Sequence, residues 1–141
     1  MDGGLTLQRL SDQECHAYLS QNRLGRLAVT ANALPAIRSV WFAVTSDHLV
    51  IRCPPVSGLR RAANSVVAFQ TDHTREDGTG WSVHLLGVCR LENDPTRLNQ
   101  LRQLPLSPWS EPPEQDVFLR LPLAGLTGDR ILKNGAFRGF A

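Results

Sequence analysis

Apolar residues in the first twenty positions recur three to four apart (Cys15, Tyr18, Leu19), the spacing of one helical face. Ser11-Asp12-Gln13-Glu14 precedes them and has the form of a capping box. The Ser11 hydroxyl accepts from the Glu14 N–H and the Glu14 carboxylate returns to the Ser11 N–H. Leu7 and Leu10 are placed to staple this helix start, and Gln21-Asn22 ends the helix. From Leu24 the period changes to two, and Leu24–Ala31 reads as a strand. Asn32-Ala33 is a tight turn into a second strand, Ala36–Val44, with Pro35 tolerated at its start. Ser46-Asp47 turns the chain into a third strand, His48–Cys53, which completes an antiparallel meander.

Pro54-Pro55 halts pairing, and a short helix follows over Leu59–Asn64 with Ser57 as a candidate N-cap. Ser65–Thr71 is a fourth strand, 72–80 a polar loop, and Trp81–Glu92 a long fifth strand. Asp94-Pro95 opens another helix, the carboxylate as cap and the proline at the first helical position. A proline-rich stretch, 105–115, carries Trp109 and reads as irregular; Asp116–Pro122 is a sixth strand and Leu126–Leu132 a further short one. Six or seven short strands with two or three brief helices predict a mainly β (α+β) domain, a small closed or split β-barrel. It spans residues 1–133, with 134–141 expected as a flexible tail.

Composition narrows the function. The chain has 141 residues, one domain's worth, and its 15 basic and 13 acidic residues leave +2, too little for a nucleic-acid footprint. No apolar run reaches the roughly 20 residues of a membrane span, and the first ten residues lack a signal-peptide core. The three cysteines (Cys15, Cys53, Cys89) are odd in number and form no CxxC, so reduced thiols in the cytoplasm are expected. Fourteen of the basic residues are arginine, which suits phosphate and carboxylate binding and is also what a GC-rich coding sequence produces.

Motif searches exclude more than they assign. His16, His48, His73 and His84 share no ligand spacing with the cysteines, and no metal site is expected. No G-x-S-x-G elbow occurs, and Gly78-Thr79-Gly80 leads into a strand rather than a helix. His84 falls opposite Trp81, Val83 and Leu85 on its strand, where an ordinary strand histidine outweighs a catalytic one. One constellation stands out. A strand ending in Arg52-Cys53 feeds a turn with Ser57-Gly58 and a helix opening with Arg60-Arg61. Free N–H groups and arginines together make an anion site; an ordinary solvated basic turn has the same spacing.

Nine pieces in order then resemble the pyridoxamine 5′-phosphate oxidase-like flavin-binding split barrels, in particular short actinobacterial members near the nitroimidazole reductases. They are Leu10–Leu19, Leu24–Val29, Pro35–Val40, Leu49–Cys53 with Gly58–Arg60, Val67–Asp72, Gly80–Val83, Gly87, Leu104–Trp109 and Leu126–Arg130. The resemblance implies a six-stranded antiparallel split β-barrel that works as a homodimer with flavin sites at the subunit interface. By position it implies a phosphate held by Arg52, Cys53, Ser57, Gly58 and Arg60, with Arg61 adjacent. The backbone around Ser39, Val40 and Trp41 would line the isoalloxazine ring, Thr71, Trp81 and Ser82 would stand near the cleft, and Trp109 would cover the ring from the partner. Trp41 and Trp81 equally suit core or dimer packing.

The function implied is an FMN-dependent, alternatively F420-dependent, oxidoreductase of a small molecule. The rival is a non-catalytic module that has lost flavin and binds another ligand such as haem, or acts as a dimeric regulator. Cys53, Arg60 and the Pro54-Pro55 linker depart from the family pattern, and Cys53 and the linker favour the rival. The C-terminal substrate motif of the true pyridoxamine phosphate oxidases is not evident after Arg130, so vitamin B6 oxidation is not expected.

Overall fold

A computed structural model describes residues 4–55 and 58–135. Nine strands form one antiparallel sheet: β1 (Leu5–Arg9), β2 (Leu24–Ala31), β3 (Leu34–Val44), β4 (His48–Cys53), β5 (Val66–Thr74), β6 (Gly80–Val88), β7 (Arg90–Leu91), β8 (Val117–Pro122) and β9 (Thr127–Lys133). Their order is β1-β9-β6-β5-β2-β3-β4-β8-β7, so the ladder is nine-stranded and unclosed rather than six-stranded. Only Cys89 separates β6 from β7, yet β6 pairs with β5 and β9 while β7 pairs with β8. The run predicted as one strand, 81–92, therefore bends at Cys89 and reaches both parts of the sheet, which wraps round the core as a split barrel.

The inner face is what the period-two reading selects. Leu27, Val40, Phe42, Leu49, Ile51, Val83, Leu119 and Leu121 are wholly buried, and Phe42 meets Phe69 edge-on with centroids 4.9 Å apart. Gly25 belongs to the same inner row. A Cβ there would lie 2.4 Å from the Phe69 ring, so only glycine lets β2 and Phe69 approach this closely. The β2–β3 turn places Asn32 and Ala33 at φ 53° and 64°, two consecutive left-handed residues of the kind a tight hairpin turn needs.

Helix α1 (Asp12–Leu19) begins at the predicted capping box: Glu14 N–H donates to Ser11 Oγ (3.1 Å) and Ser11 N–H to Glu14 Oε1 (2.9 Å). Its Cys15 and Leu19 are buried against the barrel, and Tyr18 stacks on Trp81 at 4.8 Å. Leu7 does not staple this helix. It belongs to β1, pairs with Ile131 and is 66% exposed. Helix α2 (Pro95–Leu101) starts at Asp94, whose carboxylate accepts from Arg97 N–H (3.0 Å). The short helix predicted over 59–64 is one 3₁₀ turn, Leu59–Ala62, capped by Gly58 at φ 78°. Among the described residues no helix is long and apolar enough to cross a membrane.

The two halves of the barrel's outer surface differ. On β2, β3, β5 and β6 it is open, and Ile37, Ala28, Ala68 and Leu86 stand side by side in register across four strands. Ile37 and Leu86 are more than 60% exposed. On β4 and β8 it is covered. Val50, Arg52 and Phe118 are buried although they alternate with inward-facing neighbours.

Candidate functional site

Alternation sorts the predicted residues into two groups. Ser39, Trp41 and Ser82 point outward from β3 and β6; Val40, Thr71 and Trp81 point into the core. The Val40 side chain is fully buried, and its backbone, the part expected at the ring, stands opposite Gly25 of β2. The Thr71 hydroxyl donates to Leu24 O (3.0 Å) and accepts from Asn22 Nδ2 (2.9 Å), tying β5 to the start of β2. Trp81 is occupied by its stack on Tyr18. The side chains at these three positions serve the core, because neighbours on one strand take opposite faces.

A cleft of about 450 Å³ lies on the open face, lined by Asn22, Arg23, Arg26, Ser39, Trp41 and Asp72 among others. Its volume falls in the usual range for small-molecule sites, roughly 300–1,000 Å³. Beside it runs a polar network. Arg26 donates to Gln70 Oε1 (3.1 Å), Gln70 Nε2 to Asp72 Oδ2 (2.7 Å) and Ser82 Oγ (3.2 Å), and Ser82 Oγ lies 3.2 Å from His84 Nε2. Arg26, Gln70 and His84 also line an apolar hollow of about 390 Å³ next to it, with Ala28, Ile37 and Leu86. His84 faces outward, as its strand position requires.

Among the described residues, Arg52 and Cys53 of the predicted phosphate cradle are buried and engaged within the chain. Arg52 is 3% exposed. Its Nε donates to Asp116 Oδ2 at 2.7 Å, and its two terminal nitrogens donate to Leu106 O (3.4 Å) and Pro113 O (3.3 Å). Cys53 is fully buried and directs its Sγ to Val117 O at 3.5 Å. Arg60 lines a separate cleft of about 570 Å³ with Glu92, Arg102 and Glu114. Arg61 is exposed on the 3₁₀ turn beside Gly58, and Ser57 lies outside the described residues. An anion at Arg52 would have to displace a buried carboxylate. Arg52 and Cys53 as arranged here therefore do not fit a flavin phosphate.

Trp109 stands in this region beside Trp41 of its own chain. Its Nε1–H donates to Arg52 O (2.7 Å), its backbone N–H to Asp116 Oδ2 (2.8 Å), and its ring lies 5.8 Å from that of Trp41. Asp116 was not singled out in the sequence, since nothing local marks a carboxylate for an arginine 64 residues away. Burial alone would raise its pKa; hydrogen bonds from Trp109 N–H, Ser110 and Arg52 bring it below the ordinary carboxylate value. Arg26 was legible in principle, because it alternates with the inward residues Gly25 and Leu27.

Comparison with known proteins agrees with the architecture. The family model described as pyridoxamine 5′-phosphate oxidase matches residues 11–130. An FAD binding protein from Mycobacterium smegmatis superposes with a TM-score of 0.74 at 27% identity, over 87% of this chain and 98% of that one. An FAD-binding protein from Mesorhizobium loti gives 0.73 at 24% identity, over 91% and 98%. An FAD and haem binding protein from M. smegmatis gives 0.70 at 17% identity, over 90% and 74%. No match is found among curated proteins.

Proposed function

We propose that this protein, which belongs to the pyridoxamine 5′-phosphate oxidase family, binds a flavin on the open face of its barrel and serves as an oxidoreductase for a small molecule. The observation that carries this reading is the cleft of about 450 Å³ at Ser39 and Trp41, flanked by Arg23 and Arg26. Trp41 supplies an aromatic wall, and Ser39 a hydroxyl at the ring's edge. The cations lining it are Arg23, which donates to Pro105 O (2.6 Å), and Arg26, which lies 3.7 Å from Asp72 Oδ1; both are more exposed than Arg52. FMN is the cofactor we favour, with the deazaflavin F420 as the alternative; the family relationship and the FAD-binding M. smegmatis relative support a flavin in general. When bound, a flavin supplies two-electron chemistry, and the chain's part is to hold and orient it.

A second copy of the chain is the proposed cover for this face. Ile37 and Leu86, 68% and 63% exposed, stand on the same sheet surface as the cleft, so a partner seated there would bury both and deepen the site. The proposed assembly is a homodimer, and its proposed location, from three free cysteines, is the cytoplasm. Sedimentation of the wild type and of Ile37→Asp tests this: a dimer that dissociates in the variant is expected, and a wild-type monomer overturns it.

The test of the cofactor is a visible absorbance spectrum of the purified protein, followed by titration with FMN and then F420. Saturable binding with a shifted spectrum is expected for one of them. Failure of both at high concentration would replace this reading by the non-catalytic module, for which the closed surroundings of Arg52 already speak.

A further inference from the structure

The flavin reading leaves the proline-rich segment 105–116 without a task, although Arg23 and Arg52 both bind it to the barrel. We propose that Arg52 is a positioning residue: it ties this segment to the barrel and thereby sets Trp109 against Trp41 as a wall of the cleft. The ligand part of this proposal rests on the flavin reading; the packing part does not.

The fastening is two-sided. The guanidinium of Arg52 meets Asp116, Leu106 O and Pro113 O, which brackets the segment from near its start to its end. The main-chain carbonyl of the same residue accepts the Trp109 indole N–H. Asp116 Oδ2 closes the loop, since it accepts from both Arg52 Nε and Trp109 N–H. Register explains the consequence. Arg52 stands opposite Trp41 across β3 and β4, so a ring held at the Arg52 carbonyl necessarily arrives beside Trp41, 5.8 Å away and inclined by 38°. Trp41 in turn lines the cleft.

An arginine is needed because three acceptors, one at each guanidinium nitrogen, match a fork and not a point charge. The Phe118 ring, 5.1 Å below the guanidinium carbon, keeps that plane in place. The paired charges of Arg52 and Asp116 cancel, and the carboxylate repels any anion that approaches. This arrangement favours a latch over a phosphate anchor.

Riboflavin and FMN, which differ only in the phosphate, separate the two roles. Both are titrated into the wild type, Arg52→Lys, Asp116→Asn and Trp109→Phe. A positioning role lowers the affinity for both ligands by the same factor, roughly 2–10-fold, the worth of an aromatic contact. A drop in FMN affinity with riboflavin unchanged in Arg52→Lys would show an anchor and overturn the proposal. So would a gain for FMN over riboflavin in Asp116→Asn, where the arginine is freed.

Circular dichroism of the coupled Trp41–Trp109 pair is the second readout. The coupled band should vanish in Trp41→Phe, fall in Arg52→Ala and Asp116→Asn, and return in part in Arg52→Lys, which retains the charge. A band unchanged in Arg52→Ala and Asp116→Asn sinks the latch. If Arg52→Ala fails to fold, Asp116→Asn decides alone. If the wild type binds neither riboflavin nor FMN, the flavin reading has failed, and the dichroism still decides the latch.

Discussion

Two arginine–carboxylate pairs in this protein close to the same 2.7 Å, yet they are different interactions. Arg52–Asp116 joins β4 to the residue before β8, with side chains 4% and 0% exposed. Arg130–Glu14 joins β9 to α1, with 29% and 41% exposed. Around the second, Arg130 also donates to Gln8 Oε1 and Tyr18 Oη and lies over the Tyr18 ring, so the cluster docks α1 on the sheet. Water can replace any one of its members. No water replaces Asp116 for Arg52, because the segment the pair fastens is also what excludes solvent. Distance does not distinguish the pairs; what lies above them does.

The largest effect expected from breaking this contrast is at Arg52. Arg52→Ala leaves the Asp116 carboxylate buried without its cation and should cost about 3–5 kcal/mol of stability, read by chemical denaturation. Replacing Arg130 by Ala should cost clearly less, and an equal loss would refute the contrast. Next comes a site with no charge at all. Gly25→Ala pushes a methyl into the Phe69 ring and should cost roughly 1–3 kcal/mol by overpacking, with a lowered midpoint and an unchanged denaturant slope. Ser11→Ala removes the cap of α1 and should cost about 1 kcal/mol.

The smallest effects are those of acid. Hydrogen bonds from the Ser11 N–H, then from Arg130, lower the Glu14 pKa from 4.5 to about 2. A carboxyl lowered on folding contributes stability above its unfolded pKa and loses it as pH falls through the folded one. Glu14's share is therefore lost between about pH 4.5 and pH 2. Asp116, also lowered, behaves with the same sign below its ordinary value of 3.8. A pH series of thermal midpoints should fall in this acid range, and Glu14→Gln should flatten part of that fall. A wild-type curve as flat as the variant's would remove Glu14 from the account.

How much of this was readable in the chain depended on distance along it. The capping box of α1, the Asp94-Pro95 start of α2 and the Asn32-Ala33 turn are contacts within four residues, and all three formed as read. Strand β1 escaped notice because Leu5 and Leu7 are its exposed positions, and its pairing is with β9 at the other end of the chain. At the site, alternation alone separated Ser39, Trp41 and Ser82 from Val40, Thr71 and Trp81, although the resemblance grouped all six.

By itself, then, the chain determined most of its elements, though not β1 or the break at Cys89, and, for each strand it marked, which residues share a face, since backbone geometry imposes a period of two whatever the surroundings. It could not determine what covers a face. The outer side of β3 is open at Ser39, while that of β4 is sealed at Arg52. An arginine between apolar neighbours reads the same in both settings. Only the return of residues 105–116 across β4 made Arg52 a buried partner of Asp116, because burial and charge pairing are properties of atoms brought together in space and not of their order along the backbone.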